Sequence, residues 1–178
     1  MRRYIIFLPS LGLGLLGAIW LLFRPFPYEP QTSWLGLLLT AVGLVVVLLG
    51  AAWILEKTLA SFRYASSLLE RALSNFRITL PFAFALAALS SVAEELFFRG
   101  ALMPLIGVWG QALVFGLLHP MPRRAWIYMV FTFAAGVCFG YATLLTGSLI
   151  PAIAAHFVIN LQGFLELRNK QRQKTIQP

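Results

Sequence analysis

Long apolar stretches separated by short polar ones dominate this sequence. A helix of about 20 apolar residues crosses a bilayer, and within lipid only helices and closed barrels satisfy the backbone hydrogen bonds. The alternating apolar and polar pattern of a barrel strand is absent from the sequence. We therefore predict an all-α fold, a polytopic transmembrane helix bundle of about six spans, at residues 4–23, 34–55, 78–106, 108–122, 125–145 and 148–166.

The stretch 56–77 is too polar to span a membrane. Its apolar residues recur at helical spacing, with Lys57 and Arg71 on the opposite face, which predicts an amphipathic helix. The helix either lies on the membrane surface or is a solvated connector packed on its neighbours. We accordingly divide the chain into 1–77, two spans and this connector; 78–167, the core; and 168–178, a basic tail that we expect to be frayed.

Composition agrees with a membrane protein, since 60% of the residues are hydrophobic, 11% are charged and the mean hydropathy is +0.82. The net charge of +8 does not indicate a nucleic-acid partner, because the basic residues flank the apolar segments and have no interleaved aromatic pattern. We expect both termini and all four basic clusters to be cytoplasmic. The clusters are Arg2 and Arg3; Lys57, Arg63, Arg71 and Arg77; Arg123 and Arg124; and Arg168, Lys170, Arg172 and Lys174.

A short set of polar side chains lies inside the apolar segments. Counting residues along three predicted spans places these groups near one depth, at about mid-bilayer, given a helix rise of about 1.5 Å per residue. A charge at a span centre costs roughly 2.5–3.5 kcal/mol on insertion scales, so such groups must pair or face a wet cavity. The set comprises Glu94, Glu95, Arg99, His119, His156 and Asn160.

Helical spacing assigns some of these groups to common faces. Glu95 and Arg99 are four residues apart and are predicted to pair, whereas Glu94 is rotated by about 100° and can face elsewhere. His156 and Asn160 also share a face. A single buried histidine or one Glu–Arg pair is commonly structural, but their coincidence at one depth favours a functional site.

The residue types limit the chemistry. A carboxylate in a poorly hydrated cavity can act as a general base for water, and imidazoles with an amide can bind a metal or stabilise an oxyanion. No well-placed serine or cysteine nucleophile joins this set, since Ser90 and Ser91 lie near Glu94 but have no histidine on their own segment. The HExxH zinc motif is absent from the sequence. The residues by themselves leave two possibilities open, an intramembrane hydrolase and a proton-coupled transporter.

Three motifs in order carry a family resemblance. EELFFR from Glu94 to Arg99 fits EExxxR, FGLLH from Phe115 to His119 fits FxxxH, and HFVIN from His156 to Asn160 fits HxxxN. Over about residues 78–166 the chain resembles the CPBP family of intramembrane proteases, the CAAX-protease and bacteriocin-processing (Abi) proteins. The resemblance makes 78–167 a catalytic core.

The resemblance also implies roles for individual residues. Glu94 would activate the attacking water with help from His119, and His156 with Asn160 would form the oxyanion site. Glu95 with Arg99 would orient the motif helix. Members of the family are described both as glutamate-dependent enzymes and as metalloproteases. In a metal-dependent enzyme, a divalent ion such as zinc would bind His119 and His156 with Glu94 or Glu95.

The implied partners are the lipid bilayer and a membrane-embedded or membrane-associated peptide or protein. The chain is shorter than eukaryotic prenyl-protein proteases of the family, so we expect a peptide, a bacteriocin-like leader or a membrane-protein tail rather than a prenylated CAAX substrate. A prokaryotic plasma membrane is the expected location, with a thylakoid or plastid membrane as the alternative. The alternative function is a non-enzymatic membrane protein, either a transporter or an immunity or scaffold protein of the same family.

Overall fold

The computed structural model describes residues 2–176, with side chains from Tyr4 to Gln173. This part of the chain is all-helical, as predicted, and contains no strand. Short 3₁₀ turns at Arg2–Phe7 and Arg123–Ala125 and a π-helix at Leu96–Leu102 accompany seven α-helices. These are α1 Leu8–Phe23, α2 Trp34–Thr58, α3 Ala60–Leu73, α4 Leu80–Glu95, α5 Met103–Leu117, α6 Trp126–Thr146 and α7 Ile150–Ile176.

Five continuous helical stretches in the described residues are long and apolar enough to cross a membrane, so the protein is a multi-pass membrane protein. They are Tyr4–Phe23, Trp34–Thr58, Leu80–Leu117, Arg123–Thr146 and Ile150–Gln173. The third stretch contains two of the six predicted segments. Gly107 interrupts it with φ 73° and ψ 176°, a backbone conformation that only glycine adopts readily.

The chain reverses direction at Gly107. Before it, α4 lies antiparallel to α7, since Glu95 contacts His156 and Ser90 contacts Asn160. After it, α5 lies antiparallel to α6. The tight turn at Gly147 makes α6 and α7 antiparallel, so α4, which is antiparallel to α7, runs parallel to α6. The last part of α5 is antiparallel to α6 and therefore runs opposite to α4.

Close approaches between helices establish the second of these pairings. A Cβ placed on Gly140 of α6 would lie 2.8 Å from Val108, and one placed on Gly116 of α5 would lie 3.1 Å from Phe133. The predicted turn near Val108 is therefore present. The segment after it is shorter than the predicted 108–122, however, because α5 ends at Leu117 and the ten residues from Val108 span only about 15 Å.

The connector at residues 56–77 contains helix α3, which packs against the rest of the bundle. Phe62 of α3 is buried against the rings of Tyr128 and Phe131 of α6. The hydroxyl of Ser61 donates a hydrogen bond to the carbonyl of Arg124. The segment thus contains a helix, as predicted, and this helix packs on its neighbours at the end of the bundle that carries the basic clusters.

The expectation of a frayed tail from residue 168 is wrong as far as the described side chains reach. Helix α7 continues to Ile176. The Gln171 amide accepts a hydrogen bond from the backbone N–H of Ile78 at 3.1 Å and donates one to the carbonyl of Phe76 at 2.9 Å. Gln171 thereby satisfies backbone groups in the link between α3 and α4, which holds the end of α7 in place. Side chains after Gln173 lie outside the described residues.

Candidate active site

Glu95 and Arg99 form the predicted ion pair. Arg99 Nη1 lies 2.8 Å from Glu95 Oε1, and both side chains are completely buried. The guanidinium carbon lies 4.6 Å from the ring centre of Phe115 and 5.0 Å from that of Phe139. Aromatic faces stabilise a desolvated cation, so this pair is held in an apolar environment without contact to solvent.

The π-helix begins directly after Glu95 and contains Arg99. Pro104 has no N–H, so the helical hydrogen bond to the carbonyl of Gly100 cannot form, and the wider π turns occupy this region. Helix α1 packs directly against the backbone of the π-helix at Gly17, where a Cβ would lie 2.9 Å from the Phe97 nitrogen and therefore has no room. Proline and glycine thus shape the helix that carries the first motif.

His156 links the ion pair to the second carboxylate. Its Nδ1–H donates a hydrogen bond to Glu95 Oε1 at 2.8 Å, and its ring stacks on Phe139 at 5.2 Å and 19°. In the neutral ring, Nε2 then carries the lone pair, and it lies 3.8 Å from Glu94 Oε2. Both carboxylates contact the same imidazole, although helical spacing allowed them to face apart.

His119 is placed by the end of α5. It follows the helix, and its backbone N–H bonds to Gly116, which leaves the carbonyl of Phe115 without its usual helical donor. His119 Nδ1–H donates to that carbonyl at 2.7 Å, and its Nε2 lies 4.0 Å from Glu94 Oε2. The FxxxH spacing thus has a physical role. The expectation that His119 lies within a helix is wrong.

Glu94 is the point on which the two histidines converge. Its Oε2 atom is buried and has no hydrogen-bond partner among the described residues. The Glu94 side chain keeps 15% of its surface exposed and that of His119 keeps 29%, whereas Glu95 and Arg99 have none. Solvent or a ligand can therefore reach the site from the side of Glu94 and His119.

Asn160 lies one turn from His156 on α7. Its amide Nδ2–H donates a hydrogen bond to the hydroxyl of Ser90 at 3.0 Å, and Ser90 donates to the carbonyl of Ala87. Asn160 thus ties α7 to α4 next to the two carboxylates. All six side chains singled out from the sequence lie in this one region.

The residues present do not fit a bound metal as they are arranged. The described residues contain no group of three or more His, Cys, Asp or Glu side chains placed to hold a metal ion. The two Nε2–Oε2 distances of 3.8 and 4.0 Å exceed the spacing of about 3.4 Å expected between neighbouring donors around tetrahedral zinc. No step below uses a metal.

Gln111 is a buried polar residue beside the site that the sequence reasoning missed. It lies in α5 with no exposed surface and donates hydrogen bonds to the carbonyls of Val108 and Gly136, each at 2.9 Å. Gly136 also accepts from Arg99 Nη2 at 3.4 Å. An amide inside an apolar segment was a visible signal, but Gln111 belongs to none of the three motifs.

The fold and the site together define a class: a multi-pass membrane protein whose buried carboxylates and imidazoles have the composition of a hydrolytic site. Residues 76–162 match the family model of Rce1-like proteins, described as type II CAAX prenyl endopeptidases. All six site residues lie within this match. The match covers just under half of the chain; it confirms the CAAX-protease resemblance over these residues and supports an endopeptidase that acts in a membrane.

A curated relative extends the similarity beyond this domain. The uncharacterised protein YpbD of Bacillus subtilis (strain 168) is 29% identical over 127 residues, which cover 71% of this chain and 67% of that protein. No solved structure matches the chain.

Proposed function

We propose that the protein is an intramembrane endopeptidase in which Glu94 activates the water that attacks a peptide bond. The observation that carries this proposal is the convergence of His119 Nε2 and His156 Nε2 on Glu94 Oε2 at 4.0 and 3.8 Å. A carboxylate with two imidazoles can accept, hold and return a proton, which amide hydrolysis requires.

In the proposed reaction, Glu94 accepts a proton from water while the water oxygen bonds to the carbonyl carbon of the scissile peptide. The π electrons of the carbonyl move to its oxygen and form a tetrahedral oxyanion. The proton then passes to the leaving nitrogen as the C–N bond breaks, which yields a carboxylic acid and an amine. His119, which is partly exposed beside Glu94, assists the proton transfers.

His156 and Asn160 are the proposed donors to the oxyanion. The proton that Glu94 accepts from water can pass on to His156 Nε2, 3.8 Å from Glu94 Oε2, before it reaches the leaving nitrogen. The imidazolium so formed donates to the oxyanion, and the carboxylate of Glu95 on the opposite nitrogen stabilises its charge. Arg99 pairs with Glu95 at 2.8 Å and keeps it oriented for this task. The buried pair is therefore a support for His156 in this mechanism and does not itself attack the substrate.

The shape of the bundle supports a chain-like substrate. After Gly107, helix α5 extends over only about half the bilayer thickness, and it packs mainly on α6 and on the π-helix. The Glu94–His119 side of the site is therefore not covered by a full-length span. We propose that a membrane-embedded or membrane-associated peptide segment, such as a leader or a membrane-protein tail, binds there in an extended form.

The test compares peptide termini in membranes of cells that have the protein, lack it, or carry Glu94→Gln. We expect new termini only with the wild-type protein. Peptides spanning those cleavage sites are then offered to purified protein, both unmodified and farnesylated, since the matched family is described as prenyl endopeptidases.

Glu94→Gln should lower the cleavage rate by roughly 10²–10⁴-fold, the usual contribution of a general base, and leave the unfolding temperature nearly unchanged. Cleavage by Glu94→Gln at the wild-type rate would overturn the assignment. Identical termini in all three membranes, with a cellular phenotype that persists in Glu94→Gln, would instead establish the non-enzymatic alternative.

A further inference from the structure

Gln111 is costly for the protein in its observed position. The side chain is completely buried, and its Oε1 atom has no hydrogen-bond partner among the described residues. A buried amide with an unmatched acceptor is destabilising relative to an apolar side chain of similar size. The two hydrogen bonds that Nε2 donates offset part of this cost, and the residue lies outside the three motifs that hold the reacting groups.

The amide is connected to the active site through one carbonyl group. Gly136 O accepts hydrogen bonds from Gln111 Nε2 at 2.9 Å and from Arg99 Nη2 at 3.4 Å. Arg99 Nη1 bonds to Glu95 Oε1, which in turn accepts from His156 Nδ1. A continuous series of contacts thus runs from Gln111 to the imidazole beside Glu94.

Two glycines of α6 make room for this arrangement. A Cβ on Gly140 would lie 2.9 Å from Gln111 Nε2, and a Cβ on Gly136 would lie 3.1 Å from Ala112 and 3.3 Å from Phe115. Side chains at these positions would displace the amide or separate α6 from α5. The local sequence of α6 is therefore compatible with a buried amide at position 111.

We propose that Gln111 is a positioning residue for His156. Its bond to the Gly136 carbonyl ties α5 to α6, and its bond to the Val108 carbonyl within α5 orients the amide for that contact. Gln111 thereby fixes the second anchor of the Arg99 guanidinium. With both ends of Arg99 fixed, Glu95 Oε1 stays at the hydrogen-bond distance that keeps the proton of His156 on Nδ1. Gln111 acts through these groups and does not touch the reacting atoms.

The histidine content makes a direct test feasible. The chain has two histidines, so ¹⁵N-histidine labelling gives two imidazoles in NMR spectra of the protein in bilayers, and His119→Gln assigns them. We expect wild-type His156 to show one neutral tautomer, with the proton on Nδ1. In Gln111→Met, a second signal from the Nε2–H tautomer should appear at His156, while His119, bonded to the carbonyl of Phe115, stays unchanged.

Thr143→Val is the matched control. Thr143 is also completely buried, and its hydroxyl has no partner among the described residues, but no described contact joins it to Arg99. Its replacement should leave the His156 signal as in the wild type. Gly140→Ala is a second variant for the event that Gln111→Met does not fold. The added methyl group meets the Gln111 amide at 2.9 Å and the Val108 side chain at 2.8 Å, so it displaces the amide and should produce the same second tautomer.

The kinetic consequence rests on the proposed function, whereas the NMR readout does not. On a cleaved peptide, Gln111→Met should lower kcat by roughly 10–100-fold, as loss of support behind an active-site imidazole does, with KM nearly unchanged. An unchanged His156 tautomer in both Gln111→Met and Gly140→Ala overturns the proposal, as does an equal change in Thr143→Val. If Gln111→Met changes the His156 tautomer but the wild-type protein cleaves no peptide, the protease assignment is overturned and the positioning role of Gln111 stands.

Discussion

The two adjacent glutamates of the site differ in their surroundings, and this difference supports the separate roles proposed for them. Glu95 is completely buried, bonds to Arg99 and His156, and cannot reach a substrate. Glu94 is partly exposed and lies near the Nε2 atoms of both histidines. A carboxylate that already accepts two charge-assisted hydrogen bonds is a support, whereas an unbonded and accessible one is available as a base.

At the residue scale, Arg99→Ala should damage assembly more than any direct chemical step. It leaves the Glu95 carboxylate buried without its cation, which costs about 3–5 kcal/mol. We therefore expect a clear fall in the unfolding temperature of purified protein in detergent. Adding Glu95→Gln should recover part of the loss, since the double variant buries no unpaired charge. Unchanged thermal stability in Arg99→Ala would contradict the importance of the pair.

At the scale of the elements, α1 supports the motif helix by close backbone contact. A Cβ on Gly14 would lie 3.1 Å from Ala93, and one on Gly17 would lie 2.9 Å from Phe97 and 3.0 Å from Leu96. Helix α1 therefore runs parallel to α4 and the π-helix and touches the backbone next to Glu94 and Glu95. The packing of α1 thus influences the site without a side chain in it.

This contact predicts a strong difference between two glycines of one helix. Gly17→Val should force α1 away from the π-helix and destabilise the protein by roughly 1–3 kcal/mol, as overpacking does. Gly12→Val is the matched control, because a Cβ there has no described atom within 4 Å. Thermal unfolding of both variants checks the prediction. Equal unfolding temperatures would show that α1 does not pack closely on the motif helix.

At the scale of the whole molecule, most of the arginine and lysine residues lie at one end of the helix bundle. Arg24 lies at the end that also has the turns at Gly107 and Gly147. The basic clusters with described side chains lie at the opposite end, with α3. Cytoplasmic loops are enriched in lysine and arginine. We therefore propose that the end with α3 and the basic clusters faces the cytoplasm and that both termini lie on that side.

Cysteine accessibility tests this topology. In a Cys138→Ala background, a membrane-impermeant maleimide applied to right-side-out vesicles should label Gln31→Cys at once and Arg172→Cys only after permeabilisation. The reverse result would invert the orientation. Labelling of both positions from the same side would contradict the chain reversal at Gly107, which gives the bundle an even number of crossings.

The sequence by itself determined the features that depend on neighbours along the chain. Hydropathy over about 20 residues predicted the helical membrane class, and four-residue spacing predicted the Glu95–Arg99 pair that the structure contains. The motifs likewise identified six residues that the structure brings into one region. These signals are local, because helix formation in lipid is imposed by the backbone of each segment.

Only the tertiary structure decided which groups meet across helices. Glu95 and His156 are 61 residues apart, and their bond depends on how α4 packs against α7. The same is true of the carbonyl that Gln111 shares with Arg99, and of the approach of His119 to Glu94. Side-chain contacts of this kind are set by the angle and register of packed helices, which the apolar pattern of each single helix does not specify.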